Sequence, residues 1–508
     1  MKETVQATIQ PFPVVLYGHA LKYEIECILK IFIPATKFAF SYEDTALFCG
    51  AEQGACLQLK QGRQDTWFFC MLRYQGKNRR CCARLPKCTP EEDKQICEYQ
   101  FSRMLFTLLQ DITGLEVPWG LLTGIRPVRK AFSMMEESGE SLETVMERLR
   151  TVYLVSSEKL DLLRRTAEVQ LPLLRQTPKQ SVGFYISIPF CPTRCSYCSF
   201  VSHSIAQAKH LMPDYIRLLC KELEIWGDMI QKLHVTVDTV YFGGGTPTSI
   251  SAQAMEQLLQ TVTKVFDLSR VREFCVEAGR PDTITREKLE VLKRYGVDRI
   301  SVNPQTMEDV VLQHIGRQHT SAQIAEAFQM ARAVGFSNIN MDLIAGLPHD
   351  TPEGFHRTLQ KVIALDPDSI TVHTLTLKRA ATLFSDSRSQ IANPVRQMVQ
   401  DSMTLLPQYG YRPYYMYRQK NTIDNQENVG YAKVGKESYY NMLIMDESQS
   451  IFGAGCAAST KIVEPCGRIT RIHNYKFPYE YIRQFDQLMK KKQQVWEIYQ
   501  QMEKRQEG

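Results

Sequence analysis

Between residues 182 and 377 the chain alternates two hydrophobic rhythms. Six short runs, "VGFYISIP", "VDTVYFGG", "REFCVEAG", "DRISVNPQ", "NINMDLIAG" and "DSITVHTL", are dense in β-branched and aromatic residues. Each is followed by a turn rich in Gly, Pro or polar residues and then by apolar positions spaced three or four apart. Near-continuous apolar runs predict parallel strands covered on both faces. The wider spacing predicts amphipathic helices, as in Ile216, Leu219, Leu223, Trp226, Ile230 and Leu233. Thr351-Pro352 supplies a helix cap followed by a first-turn proline, and Gly296 and Gly335 fall where a helix stops in a left-handed turn. After each glycine the same handover recurs, "GVDRISV" and "GFSNINM". The expected fold class is α/β, a partial six-module (β/α)6 barrel left open, because right-handed parallel crossovers curl a sheet that way.

The flanks lack this rhythm. Residues 1–175 mix strand-like runs ("PVVLYG", "TWFFCMLRY") with polar loops, a structured turn ("VPWGLLTGIRPVRK") and a charged helical region over 138–175. They read as a separate N-terminal α+β domain of unknown role. The βα module region then occupies 176–378. A C-terminal domain over 379–508 starts with a charged, Ser-rich segment to 393, continues through "YGYRPYYMYRQKN" and "IFGAGCAASTK", and ends in a helix of Lys, Gln and Glu.

Composition narrows the class. At 508 residues and 44% apolar content the chain has material for roughly two to four domains. No apolar run approaches the ~20 residues of a membrane span and no cleavable leader is legible, so the expected location is cytoplasmic. In that compartment the 15 cysteines stay largely as thiols and are read as chemistry plus small core residues. The net charge of +6, from 61 basic and 55 acidic residues, comes without a basic tail or aromatic-basic stripe. A nucleic-acid partner is therefore not expected, and the mildly basic balance suits an anionic small molecule.

The strongest chemical signal is "YISIPFCPTRCSYCSF". Cys191, Cys195 and Cys198 give C-x3-C-x2-C on the loop that follows the first strand, at the end where βα folds place active sites. A closed four-iron cubane takes four thiolates, so three leave one iron open to an outside ligand. The alternatives are a structural zinc completed by a distant residue, although no second C-x2-C knuckle follows, and three thiols without a ligand. At the end of the second strand "YFGGGTPT", residues 241–248, offers three glycines past which a ligand and backbone can approach closely; a tight turn is the plainer reading.

Together with "VEAGRPD", "ISVNPQTM", "IGRQHT", "DLIAGLPHDTPE" and "FGAGCAASTK", these motifs resemble the radical S-adenosylmethionine (SAM) enzymes over about 300 residues. Among these the resemblance is to the oxygen-independent coproporphyrinogen III oxidase (coproporphyrinogen dehydrogenase) family. It implies a 4Fe-4S cluster on Cys191, Cys195 and Cys198. The open iron would bind SAM, whose reductive cleavage gives a 5'-deoxyadenosyl radical. It further implies Tyr185 and Gly244 at the first SAM, with Glu277 holding it and Tyr185 and Glu277 as catalytic candidates. Tyr197, Gly245, Thr246, Gln305, Arg317 and Asp342 would contact a second SAM where one binds. For Arg317 a surface ion pair, and for Asp342 a turn or helix cap, are the alternatives.

The chain departs from the family's oxidases in having Phe200 and Ser187 where those carry a fourth cysteine and a histidine. The missing cysteine is also a feature of the haem-chaperone branch. The long N-terminal region, "LLTGIRP" and "VNPQTM" resemble instead the HemZ-type branch. The implied reaction is oxidative decarboxylation of two propionates of coproporphyrinogen III to the vinyl groups of protoporphyrinogen IX, primed by a flavodoxin- or ferredoxin-type donor. Other implied tasks are haem carriage or radical chemistry on another substrate. A substrate with four carboxylates asks for cations, and Arg126, Arg129, Arg412, Arg418 and Lys420 are available outside the modules. Tyr411, Tyr414, Tyr415 and Tyr417 would cover a flat macrocycle or pack as a half-buried strand. Cys81, Cys82, Cys88 and Cys97 match no ligand spacing, and Cys456 needs no metal.

Overall fold

The computed structural model describes residues 11–33, 36–44, 46–199, 203–376, 395–419 and 422–507, without the side chains of 46, 47, 424, 506 and 507. Phe200, Lys420 and the expected boundary at 378/379 lie outside the described residues. Two compact units emerge, Met1–Gly124 with Met134–Asp161, and Ile125–Ser133 with Leu162–Gly508.

The first unit holds a five-stranded sheet, β1 (Phe12–Tyr17), β2 (Phe38–Tyr42), β3 (Gly54–Gln61), β4 (Asp65–Tyr74) and β5 (Lys77–Pro86), in the order β2-β1-β3-β4-β5. β1 runs parallel to β2 and β3, and β4 lies between β3 and β5, antiparallel to both. Strict alternation on β4 buries Thr66, Phe68, Cys70 and Leu72. The apolar residues of that face join one core with Ile25, Ile28 and Leu29 of the helix Tyr23–Phe32 and Phe101, Leu105 and Leu109 of the helix Lys94–Thr113. Cys88 and Cys97 sit in this core, their sulfurs 3.9 Å apart, as small apolar residues do.

The second unit is built on an eleven-stranded sheet. Its middle is six parallel strands in chain order, β6 (Ser181–Ile188), β9 (Thr236–Gly244), β10 (Glu273–Glu277), β11 (Arg299–Ser301), β12 (Ile339–Ala345) and β13 (Ser369–Thr374), which coincide with the six apolar runs of the sequence. Between β6 and β9 a two-residue pair, β7 (Phe190–Cys191) with β8 (His203–Ser204), brackets the cysteine loop. The predicted helices fall into place. Met212–Lys232 buries Ile216, Leu219, Leu223, Trp226 and Ile230, Thr351 caps Pro352–Leu365 by accepting from the Gly354 amide, and Gly335 closes Ser321–Val334 at φ 100°.

The C-terminal segment extends this same sheet at both ends. β14 (Arg412–Arg418) and β15 (Glu427–Ala432) add antiparallel beside β13, and β16 (Ser450–Ala454), β17 (Ser459–Val463) and β18 (Ile469–His473) follow β6, with β16 parallel to it. The order runs β14-β15-β13-β12-β11-β10-β9-β6-β16-β17-β18 without pairing of its two ends among the described residues. The result is a mixed α/β sheet, and closure into a barrel is not part of its hydrogen bonding.

A buried polar knot fastens the β16 side. Glu222 on the helix beside β6 receives bonds from the Gly455 amide (2.8 Å), Asn474 (3.0 Å), Tyr481 (2.5 Å) and the ammonium of Lys492 (2.7 Å). The carboxylate is thereby paired and its lone pairs are satisfied, the condition for burying a charge. No described helix is long and apolar enough to cross a membrane.

Candidate active site

β6 ends by delivering the cysteine loop and β9 ends in the glycine run, and the two are stitched together by backbone. The amide of Gly245 bonds the carbonyl of Ile188 and that of Thr246 the carbonyl of Phe190, each at 2.8 Å. The Thr246 hydroxyl reaches the Cys191 sulfur at 3.5 Å. A β-carbon on Gly244 would lie 2.7 Å from the Ser187 hydroxyl, and one on Gly245 2.7 Å from the Phe190 carbonyl and 3.0 Å from the Cys191 sulfur. The close approach that these glycines permit is therefore to the cysteine loop itself. Gly244 also has φ 107°, open to glycine at no steric cost.

Farther along, the Ser196 amide bonds the Ile315 carbonyl at 3.1 Å and the Thr193 hydroxyl the Gly316 carbonyl at 3.2 Å, pinning the loop to the segment beyond β11. Cys195 is buried; Cys191 and Cys198 are half-buried. Among the described residues no three His, Cys, Asp or Glu side chains converge as a ready-made ion site.

The loop forms one wall of a cavity of about 370 Å³. Of the residues singled out in the sequence, Cys191, Cys195, Cys198, Tyr197, Gly244, Gly245, Thr246, Glu277, Gln305, Arg317 and Asp342 line it. Tyr185 does not. Its ring stacks instead with Tyr241 and Tyr440, at centroid distances of 6.2 and 6.3 Å, and Tyr241 stacks on Tyr440 at 4.3 Å. Of these rings Tyr241 borders the cavity, and its hydroxyl donates to Glu277 Oε1 at 2.6 Å. Burial pushes the Glu277 carboxyl up to about 7; the Tyr241 hydroxyl works against this and the charge of Asp342 adds to it.

Arg317 is 6% exposed, so the surface ion-pair alternative does not describe it. Its Nη1 donates to the Asn303 carbonyl at 2.6 Å and its Nη2 to the Tyr197 hydroxyl at 3.3 Å, while Nε has no partner among the described residues. Gln305 has φ 69°, bridges to Leu343 of β12, and keeps Oε1 buried without a partner among the described residues. Asp342 lies within β12 rather than at a cap, accepts from Asn340 at 2.7 Å and stands 3.9 Å from His373 Nε2. Buried polar atoms left unpaired, beside two carboxylates and a guanidinium, fit a ligand that carries both signs of charge and several donors. An amino-acid moiety such as that of SAM has this character.

The opposite wall was only partly legible. Tyr415 and Tyr417 line it, their rings stacked 6.4 Å apart, and the Tyr417 hydroxyl is 3.4 Å from His373 Nδ1. Tyr411 and Tyr414 are buried elsewhere, Tyr411 bonding the Pro367 carbonyl, so strand packing accounts for those two. None of the arginines set aside for carboxylates reaches the cavity. Arg126 pairs with Glu447 at 2.5 Å, Arg412 with Glu437 at 3.4 Å, and Arg418 is buried against Asn425, burial lowering it to about 10. Arg129 is likewise off the lining. Among the described residues the basic side chains on the lining are Arg194, Arg280, Arg317 and His373. Arg280 sits in the quoted "VEAGRPD" just past a strand end, and His373 near the end of "DSITVHTL". A basic side chain at or just past a strand's C-terminal end was the available signal for both.

Residues 185–362 match the Radical SAM superfamily. The chain is 40% identical over 423 residues to the "Oxygen-independent coproporphyrinogen-III oxidase-like protein HemZ" of Bacillus subtilis, covering 81% of this chain and 84% of that protein. It is 31% identical to the "Heme chaperone HemW" of the same organism, over 53% of this chain and 69% of that one. Among solved structures, the coproporphyrinogen III oxidase HemN of Escherichia coli aligns at 22% identity and a TM-score of 0.49, over 63% of this chain and 72% of that chain.

Proposed function

The chain belongs to the oxygen-independent coproporphyrinogen-III oxidase-like family of the radical SAM superfamily, and on that premise we propose that it converts coproporphyrinogen III to protoporphyrinogen IX. The observation that carries the reading is a single cavity in which the cysteine loop and glycine turn face Tyr415, Tyr417 and His373. One wall suits a cluster and a charged cofactor, and the other suits a flat macrocycle with carboxylates.

The radical SAM domain implies binding of a 4Fe-4S cluster and SAM. Cys191, Cys195 and Cys198 would hold the cluster, and when bound the two supply a 5'-deoxyadenosyl radical that takes hydrogen from the propionate β-carbon. Loss of CO2, with one electron passing to a one-electron acceptor such as the oxidised flavodoxin- or ferredoxin-type protein, would then leave a vinyl group, twice per substrate. Glu277, near neutrality with Tyr241 hydrogen-bonded to it, would ionise beside a cationic amino group, and Gly244 would lie along the same ligand. Tyr185 would act from behind, through the Tyr241 ring. Tyr197, Gly245, Thr246, Gln305, Arg317 and Asp342 would hold a second SAM. Arg317 Nε and Gln305 Oε1, which have no partner among the described residues, support a polar occupant there.

The six parallel βα modules of 176–378 would curl as a partial barrel, 379–508 would cover the substrate, and 1–175 would be a separate domain. A flavodoxin- or ferredoxin-type protein would supply the priming electron. Cys195→Ala provides the blank for the test. Anaerobic protein reconstituted with iron and sulfide is given SAM, a reductant and coproporphyrinogen III, and 5'-deoxyadenosine and protoporphyrinogen are quantified together. Coupled formation of both, lost in the variant, is the expected result; SAM cleavage without protoporphyrinogen overturns the substrate. The haem-chaperone relatives favour a second reading, haem carriage, for which stable uptake of haem by the purified protein is the sign.

A further inference from the structure

Arg280 is 3% exposed and spends its whole fork on two partners and a sulfur. Nε and Nη2 each donate to one oxygen of Asp282 at 3.0 Å, a bidentate pair. Nη1 donates to the Thr193 carbonyl at 3.3 Å, the Thr193 hydroxyl at 3.2 Å and the Cys195 sulfur at 3.8 Å, and Nη2 also reaches that hydroxyl at 3.2 Å. Behind the pair, the buried ring of His319 places Nδ1 3.6 Å from Asp282. The arrangement is a dipole with its positive end at the middle cysteine and its negative end turned away.

We propose that Arg280 is a positioning residue for the iron-sulfur cluster, fastening the cysteine loop and fixing a positive charge at the Cys195 sulfur. The inference rests on the cluster-binding part of the reading above and not on the identity of the substrate. Donors and fixed charge near a ligating sulfur favour the reduced, more negative cluster and so raise its potential. At 3% exposure neither solvent nor salt screens the charge strongly. The planar fork matters as much as the charge, since a lysine could satisfy Asp282 or the loop but not both.

The test uses the full chain, reconstituted anaerobically, as wild type, Arg280→Gln and Arg280→Lys, with Arg217→Gln as a surface control. Iron content, the rate at which a chelator strips iron, and redox titration followed by electron paramagnetic resonance are read without substrate. In Arg280→Gln, chelation about tenfold faster is expected. The ratio of reduced to oxidised cluster at a fixed poise should also fall about tenfold, which is about 59 mV for a one-electron couple. Arg280→Lys should chelate fast yet keep a potential near wild type. A Gln variant matching wild type in both readouts overturns the proposal. Should that variant hold no iron, the Lys variant decides, and wild-type chelation there overturns it. A wild type that takes up no cluster removes the cofactor reading and this proposal together. Shifted potentials in a protein that makes no protoporphyrinogen sink only the substrate.

Discussion

The hydroxyl of Tyr241 donates to Glu277 at 2.6 Å on the cavity wall, and both side chains come from the C-terminal halves of adjacent parallel strands. The bond favours the ionised carboxylate, while burial favours the acid more strongly and leaves the group at about 7.

Glu277 should therefore make the ligand-free protein less stable as pH rises. Its ordinary value is 4.5 and its folded value about 7, so the folded state retains a proton that the unfolded chain releases. The contribution is full below pH 4.5 and is lost as pH passes through about 7. At about 1.4 kcal/mol per unit it amounts to no more than about 3 kcal/mol. Urea titrations across this window should show the slope in wild type and its reduction in Glu277→Gln.

Two glycine substitutions should separate crowding from backbone strain. Gly245→Ala places a β-carbon 2.7 Å from the Phe190 carbonyl and 3.0 Å from the Cys191 sulfur, and reconstituted iron should fall severalfold. Gly296→Ala meets no neighbour but sits at φ 83°, so it should cost about 1 kcal/mol in urea unfolding with iron content unchanged.

His373→Phe should raise the KM for coproporphyrinogen about tenfold with SAM cleavage in the absence of substrate unaltered. Of the basic lining residues among those described, Arg194 and Arg280 belong to the cysteine loop or grip it, and Arg317 bonds Tyr197 of that loop. His373 stands across from them between Asp342 and Tyr417.

Glu222→Ala strands Lys492, which is 2% exposed, beside three donors that lose their acceptor. Removing one member of such a pair costs about 3–5 kcal/mol, measurable by urea unfolding. The double variant with Lys492→Met should recover part of the loss.

The parts of this architecture written locally were legible. Each of the six parallel strands announces itself as an apolar run, and the residues at its C-terminal end gather around one cavity because parallel strands point their ends the same way. What depended on distant partners was not. Arg126 reads as a free cation until Glu447 is found beside it, and the tail reads as a separate piece until β14 and β16 are seen pairing into the central sheet. Tyr185 is one strand position of a stack whose third ring, Tyr440, comes from the tail.

The position of β16 also sets an order of events in synthesis. β6, the strand that carries the cysteine loop, lies between β9 and β16, and Gln449 just before β16 bonds Ser181 from 268 residues downstream. At about 5–20 residues per second the ribosome needs tens of seconds to cover that distance. During that interval β6 has only β9 beside it, so a nascent chain stalled before Ser450 would carry the cysteine loop on a strand whose second edge is still unpaired.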